Sequence, residues 1–356
     1  MAPVTRAPAR APKLLRGELS DDARVDSLDG LRGIAAIAVM LFHYLFRGPG
    51  LYPQLGISYR WAEYGAYGVN LFFIVSGFVI FMSIRQSSFR RFATARLIRL
   101  FPLYWLCVIL TFAFTTAAGL PGRTVTLGEA AVNLTMLQGY LGVPEVDGVY
   151  WTLAVELAFY AQCGLLLLAG LVYDRALDFV LPVWLGLAAL TLLPHSSGGI
   201  PVLAELQFAI GWLPLFIIGV ALYCAWRGDV RFRRLVLIPL ALGIRTLHDP
   251  VEGAVTLVLV ALAVLALSSP RWGFGAPVLR WLGLISYALY LLHQNLGYVA
   301  LRAVTPWIGQ RWSVVLVGAG ALMLASLATF AFDVPVRRRL RRALMRRTPG
   351  VGYTRT

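Results

Sequence analysis

The chain has 356 residues, of which 59% are hydrophobic and only 14% charged, with a formal net charge of +15 and a mean hydropathy of +0.72. Soluble domains average about 25% charged residues, so this chain cannot coat a soluble globule of its size, and it is far too apolar to be a disordered chain. Its long apolar runs, 182–193 for example, do not alternate with polar residues. That excludes a β-barrel and leaves an all-α polytopic membrane protein.

Residues 1–26 are rich in Ala, Pro and Arg and read as a disordered cytoplasmic tail, with no apolar stretch that would make a cleavable signal peptide. Apolar runs follow near 28–48, 66–85, 99–119, 150–172, 178–194, 204–225, 234–247, 253–268, 281–303 and 311–333. A span needs about 20 residues, so the pattern predicts about ten transmembrane helices within 27–335. Between the third and fourth runs, 127–138 has the pattern of a short interfacial helix. A basic tail, 336–356, closes the chain.

An even number of spans puts both termini on one side. With that side as the cytoplasm, 25 of the 32 basic residues fall in cytoplasmic segments and six on the other face, with Arg32 inside the first span. This asymmetry is the positive-inside pattern. The basic excess is therefore a topology signal and not a nucleic-acid surface, and it points to the cell's inner (plasma) membrane. Cys107, Cys163 and Cys224 all lie inside apolar runs without metal-ligand spacing, so they read as core residues and no metal site is expected.

Ionisable groups inside a span are costly and mark function by default. Here they are Arg32, His43, Glu156 and His293, with Asn70 as a neutral companion able to bond across helices. Arg32 and His43 are eleven residues apart, which is three helical turns plus about 20° and a rise of roughly 16 Å. They share one face, with Arg32 near the cytoplasmic end and His43 near the outer end. A simpler reading of Arg32 is snorkelling to headgroups or an i,i+3 pair with Asp29. Glu156 and His43 lie at similar depths, so the carboxylate is expected to partner the imidazole. Arg96 and Arg99 abut the cytoplasmic face on successive turns and could hold phosphates. There is no Walker loop and no GxGxxG turn.

These residues also carry a family likeness. SLDGLRGIAAIAVMLFHY (27–44), GVNLFFIVSGFVI (68–80), RLIRLFPLYW (96–105), WTLAVELAFY (151–160), SYALYLLHQ (286–294) and FDVPVRRRL (332–340) together resemble the motifs of the acyltransferase-3 family of integral-membrane O-acyltransferases. Asp333 stands where Glu is more usual. The resemblance covers nearly the whole chain and makes 27–335 a transmembrane acyltransferase domain. It implies ten spans and transfer of an acyl group, commonly acetyl, from acyl-CoA (acetyl-CoA above all) to a hydroxyl of a sugar, envelope glycan, glycolipid or secondary metabolite. Ser76, Trp151, Tyr160, Ser286, Tyr287 and His293 fall in its motifs and are expected to support the site, beside Asn70.

On this reading the donor's phosphates rest on Arg96 and Arg99, and Arg32 steers the pantetheine arm. His43 is the general base on the acceptor hydroxyl or a transient acyl carrier, and Glu156 holds its tautomer and its cation. Homo-oligomerisation is left open. The competing class is a transporter or exporter of a glycan precursor or metabolite, which would also place polar groups at depth.

Overall fold

In lipid a chain can satisfy its backbone polar groups only as helices or closed barrels. Every regular element among the described residues of the computed structural model is helical. The structure describes residues 21–85, 87–193, 200–268 and 273–346. Among the described residues seven helices are long and apolar enough to cross a membrane: Asp26–Leu51, Arg60–Ile84, Phe89–Ala117, Trp151–Leu168, Pro201–Trp226, Pro250–Ser268 and Gln294–Leu344. Three of the expected apolar runs fold as shorter helices, Asp174–Leu190, Leu237–His248 and Pro277–Leu292. The chain is thus a multi-pass helical membrane protein.

The boundaries depart from the sequence reading in three places. Residues 21–26, expected in the tail, already belong to the first helix, Asp21–Phe42; residues 1–20 and 347–356 of the expected tails lie outside the described residues, while Val334–Arg346 is helical. The short helix expected over 127–138 is Leu127–Asn133, opened by a Thr126/Glu129 capping box. It stops early because the Asn133 amide donates to the Glu129 and Pro144 carbonyls and accepts from Val146 N–H, which folds the chain back. The ninth run, expected as one span over 281–303, is two helices meeting at His293. Gly309, at φ 73° and ψ 164°, then breaks the following helix before the tenth run.

The first helix packs along Pro277–Leu292 at very close range. A methyl on Gly33 would lie 2.6 Å from Leu282 Cβ and 2.8 Å from the Gly283 nitrogen. Small residues let membrane helices approach in this way. The contacts step together along both helices, from Gly33 beside Gly283 to His43 beside His293, so the two run parallel in fixed register.

Segment 146–152 is stitched to residues 290–295. Asn295 N–H donates to Asp147 (3.1 Å), the Asn295 amide to Val146 O (2.9 Å), and Tyr290 O–H to Val149 O (3.3 Å). On the opposite side Asp178 gathers Arg231, Arg233 and Arg234 within 3.0 Å. Several arginines counted toward the expected topology are therefore also ion-paired. The three cysteines are buried and unpaired.

Candidate active site

Two structures built by these helices hold most of the expected residues. The first is the histidine pair. His43 opens a π-helical turn, His43–Arg47, at the C-terminal end of the first helix; such turns frequently sit at functional sites. His293 caps the C-terminus of Pro277–Leu292. From Gly33 to His43 and from Gly283 to His293 is the same ten-residue step, about 15 Å of rise on each helix. Parallel helices in register therefore bring both rings to one height, and His293 Nε2 lies 3.0 Å from His43 Nδ1.

Their partners settle the tautomers. His293 Nδ1 lies 3.0 Å from Leu289 O and 2.9 Å from Tyr290 O. Carbonyls only accept, so this nitrogen carries the proton and, in the neutral ring, Nε2 is an acceptor. His43 Nδ1, facing that acceptor and Val39 O at 2.9 Å, must then carry its own proton. The lone pair of His43 is left on Nε2. Both rings are buried, and Tyr44 O–H donates to the His293 carbonyl at 2.9 Å.

The second structure is a polar cleft of two adjoining spaces that share Arg32, Ser76, Glu156 and Tyr287. One part adds Arg96, Arg99 and Tyr160. The other part adds Ser286, Thr152, Tyr290 and apolar walls from Val69, Phe72, Phe73 and Leu153. Glu156 Oε1 accepts from Ser76 O–H (2.8 Å) and Tyr160 O–H (2.5 Å), which ties the Gly68–Ile84 and Trp151–Leu168 helices across the cleft. Arg96 donates to Ser83 (2.6 Å) and stands over the Tyr160 ring. Arg99 stands over the Tyr287 ring and lies 4.0 Å from Asp333. Arg32 pairs with Asp29 at 3.4 Å and lines both spaces all the same, so the pair does not withdraw it from the cleft.

One expected contact is not made. His43 and Glu156 are not partners; the imidazole is held by His293 and Val39, the carboxylate by Ser76 and Tyr160. Similar depth in the membrane says nothing about direction, and the two side chains come from helices that present them to different neighbours. His43 is not among the cleft's lining residues. Tyr290 links the two structures, for it lines the cleft while its ring centroid is 5.9 Å from that of His293.

Of the remaining expected residues, Trp151 packs against Phe73, Phe208 and Trp212. Asn70 does bond across helices, donating to Glu252 (2.9 Å) and Thr256 (3.0 Å), in a buried network where Glu252 also pairs with Arg245. Sequence reasoning missed Tyr290, Thr152 and the Arg245–Glu252 pair. Arg245 and Glu252 flank a helix turn seven residues apart, and two opposite charges so close to apolar runs were a usable signal.

Outside the spans, two acids of the segment that precedes Trp151 are perturbed. Burial raises the Asp147 carboxyl to about 7, against the opposing effect of the Asn295 and Val149 N–H donors. Burial likewise raises Glu145 to about 8. Among the described residues no group of three or more His, Cys, Asp or Glu could hold a metal ion. The three arginines suit a phosphorylated ligand.

A family model for the acyltransferase domain of the acyltransferase-3 group matches residues 25–331. The chain belongs to that family. Acyltransferase MdmB of Streptomyces mycarofaciens is 29% identical over 344 residues, covering 86% of this chain and 87% of its own length. Nodulation protein 10 of Rhizobium leguminosarum bv. viciae is 27% identical over 361 residues, 90% of this chain and 95% of its own. Peptidoglycan O-acetyltransferase OatA of Listeria monocytogenes is 23% identical over 186 residues, 47% of this chain and 28% of its own. No solved structure matches. The matched region contains both the histidine pair and the arginine-lined cleft.

Proposed function

We propose that this protein is an O-acyltransferase of the plasma membrane, with about ten spans and both termini cytoplasmic. It moves an acyl group, acetyl in the first instance, from acyl-CoA to a hydroxyl of a sugar, envelope glycan, glycolipid or secondary metabolite. The observation that carries this reading is the convergence of Arg32, Arg96 and Arg99 around Glu156 in one cleft, with Tyr290, a wall of the adjoining space, packed against His293 of the histidine pair.

The donor's phosphates cannot enter hydrocarbon cheaply. Arg96 and Arg99 hold them at the cytoplasmic end, and Arg32 guides the pantetheine arm. Glu156 balances the three cations, a role that replaces the one expected for it beside His43. The apolar walls keep water from the thioester. His43 Nε2 takes the proton of the acceptor hydroxyl as its oxygen bonds to the thioester carbonyl carbon. The tetrahedral adduct then expels the thiolate by breaking the C–S bond, and His43 returns the proton to sulfur.

The test is acyl transfer by the purified protein in detergent, with labelled acetyl-CoA and candidate acceptors. Free thiol should appear together with a product heavier by one acyl group. His43→Ala should remain folded and inserted and lose about 10²-fold or more of turnover. Normal turnover by that variant overturns the role of His43. Transport in sealed vesicles with no covalent change in the cargo overturns the whole reading.

A further inference from the structure

The expected carboxylate partner of His43 is replaced by a second imidazole, and the geometry around that imidazole is complete. We infer that His293 is the positioning residue of the acyl-transfer site: its Nε2, made an acceptor by the carbonyls at the end of its own helix, receives the Nδ1–H of His43 and holds His43 Nε2 bare toward the reacting hydroxyl. The inference rests on the proposed acyl transfer and deepens it.

Four distances define the arrangement. Leu289 O and Tyr290 O fix the proton on His293 Nδ1. His293 Nε2 faces His43 Nδ1 at 3.0 Å, and Val39 O is the second acceptor for the same proton. When His43 takes a proton on Nε2, its Nδ1–H bond to His293 becomes charge-assisted and shorter. The positive charge then lies beside the C-terminal end of Pro277–Leu292, where the helix dipole favours a cation. His293 gains and loses no proton over the cycle. The backbone of His293 is held by Tyr44, which donates to the His293 carbonyl, and by the 3.0 Å bond from His293 N–H to Leu289 O.

This differs from an Asp–His pair in one measurable way. In a serine hydrolase, loss of the Asp acceptor leaves the wrong tautomer and costs about 10⁴-fold. Here Val39 O still holds the His43 tautomer when His293 is removed, so the loss should be smaller, about 10- to 10²-fold.

The experiment compares His293→Leu and His293→Gln with the wild type, measuring kcat and the KM for acetyl-CoA separately, alongside the folded yield. The Gln side chain can place an acceptor oxygen where Nε2 stood; Leu cannot. The inference expects His293→Leu to lose kcat by about 10- to 10²-fold with the donor KM unchanged, and His293→Gln to regain most of it. It is overturned if His293→Leu keeps its kcat, if His293→Gln is as slow as His293→Leu, or if both lose donor binding and folded yield together. A wild-type protein that transfers no acyl group defeats the reading beneath it; an active enzyme indifferent to His293→Leu defeats this inference alone.

Discussion

Replacing Gly33 by Ala tests how the histidine pair is assembled. The added methyl would meet Leu282 Cβ at 2.6 Å, the Gly283 nitrogen at 2.8 Å and the Leu282 carbonyl carbon at 2.9 Å. Backbone atoms cannot rotate away, so the helices must part. Restoring an ordinary contact of 3.4 Å from 2.6 Å requires about 0.8 Å. Carried along two stiff helices, that would lengthen the 3.0 Å His43–His293 bond to about 3.8 Å, beyond hydrogen-bonding range. Overpacking of this kind costs about 1–3 kcal/mol. Gly33→Ala should therefore lower the unfolding temperature in detergent and reduce kcat toward that of His293→Leu, with the donor KM little changed. Gly186→Ala is the control: nothing lies within 4 Å of that position, and the change should be neutral or stabilise by up to about 1 kcal/mol. Full activity and wild-type stability in Gly33→Ala would refute the claim that close packing at Gly33 sets the histidine geometry.

Arg96→Ala and Arg99→Ala should each raise the KM for acyl-CoA by about 10- to 10²-fold, the worth of one charge-assisted hydrogen bond, and leave kcat nearly intact; steady-state titration of the donor checks this, and an unchanged KM removes the arginine from the phosphate site. Arg245→Met strands the buried Glu252 carboxylate and should cost about 3–5 kcal/mol of stability, read as a fall in thermal midpoint. Asp147 gives a pH dependence of known sign. Its carboxyl is raised from 3.8 to about 7 by burial, so between those values the folded state binds more protons than the unfolded one and stability falls as pH rises. Hydrogen exchange of residues 144–152 should accordingly speed up from about pH 4 to pH 7 beyond the intrinsic rate change, and Asp147→Asn, which keeps an acceptor, should reduce that response to the part Glu145 supplies, since burial raises that carboxyl too, to about 8. Slower opening at higher pH would contradict the assigned burial.

Much of the cleft was readable in the sequence because its residues are the wrong kind for their surroundings. A guanidinium or carboxylate inside an apolar run must find company, which marked Arg32 and Glu156; Arg96 and Arg99 were marked by standing on successive turns where a basic loop enters an apolar run, and all four line one cleft. The one-face spacing of Arg32 and His43 did not put both at the cleft, which Arg32 lines and His43 does not. The pairing of His43 with Glu156 failed because it was argued from depth, which leaves the direction around each helix undetermined. A better signal lay in the chain: Gly33 and Gly283 each precede a histidine by ten residues, and two glycines at a close helix contact carry their register to whatever stands one fixed step further on.

Sequence by itself determined the solvent and the class of fold, because 59% hydrophobic residues in long runs can be accommodated only as helices in a membrane, and its ordered motifs marked the family. Which side chains meet was decided by tertiary packing alone. A hydrogen bond at 3.0 Å between residues 250 positions apart depends on the rotation and offset of two helices, set by the few places where their backbones can touch and not by the residues that form the bond.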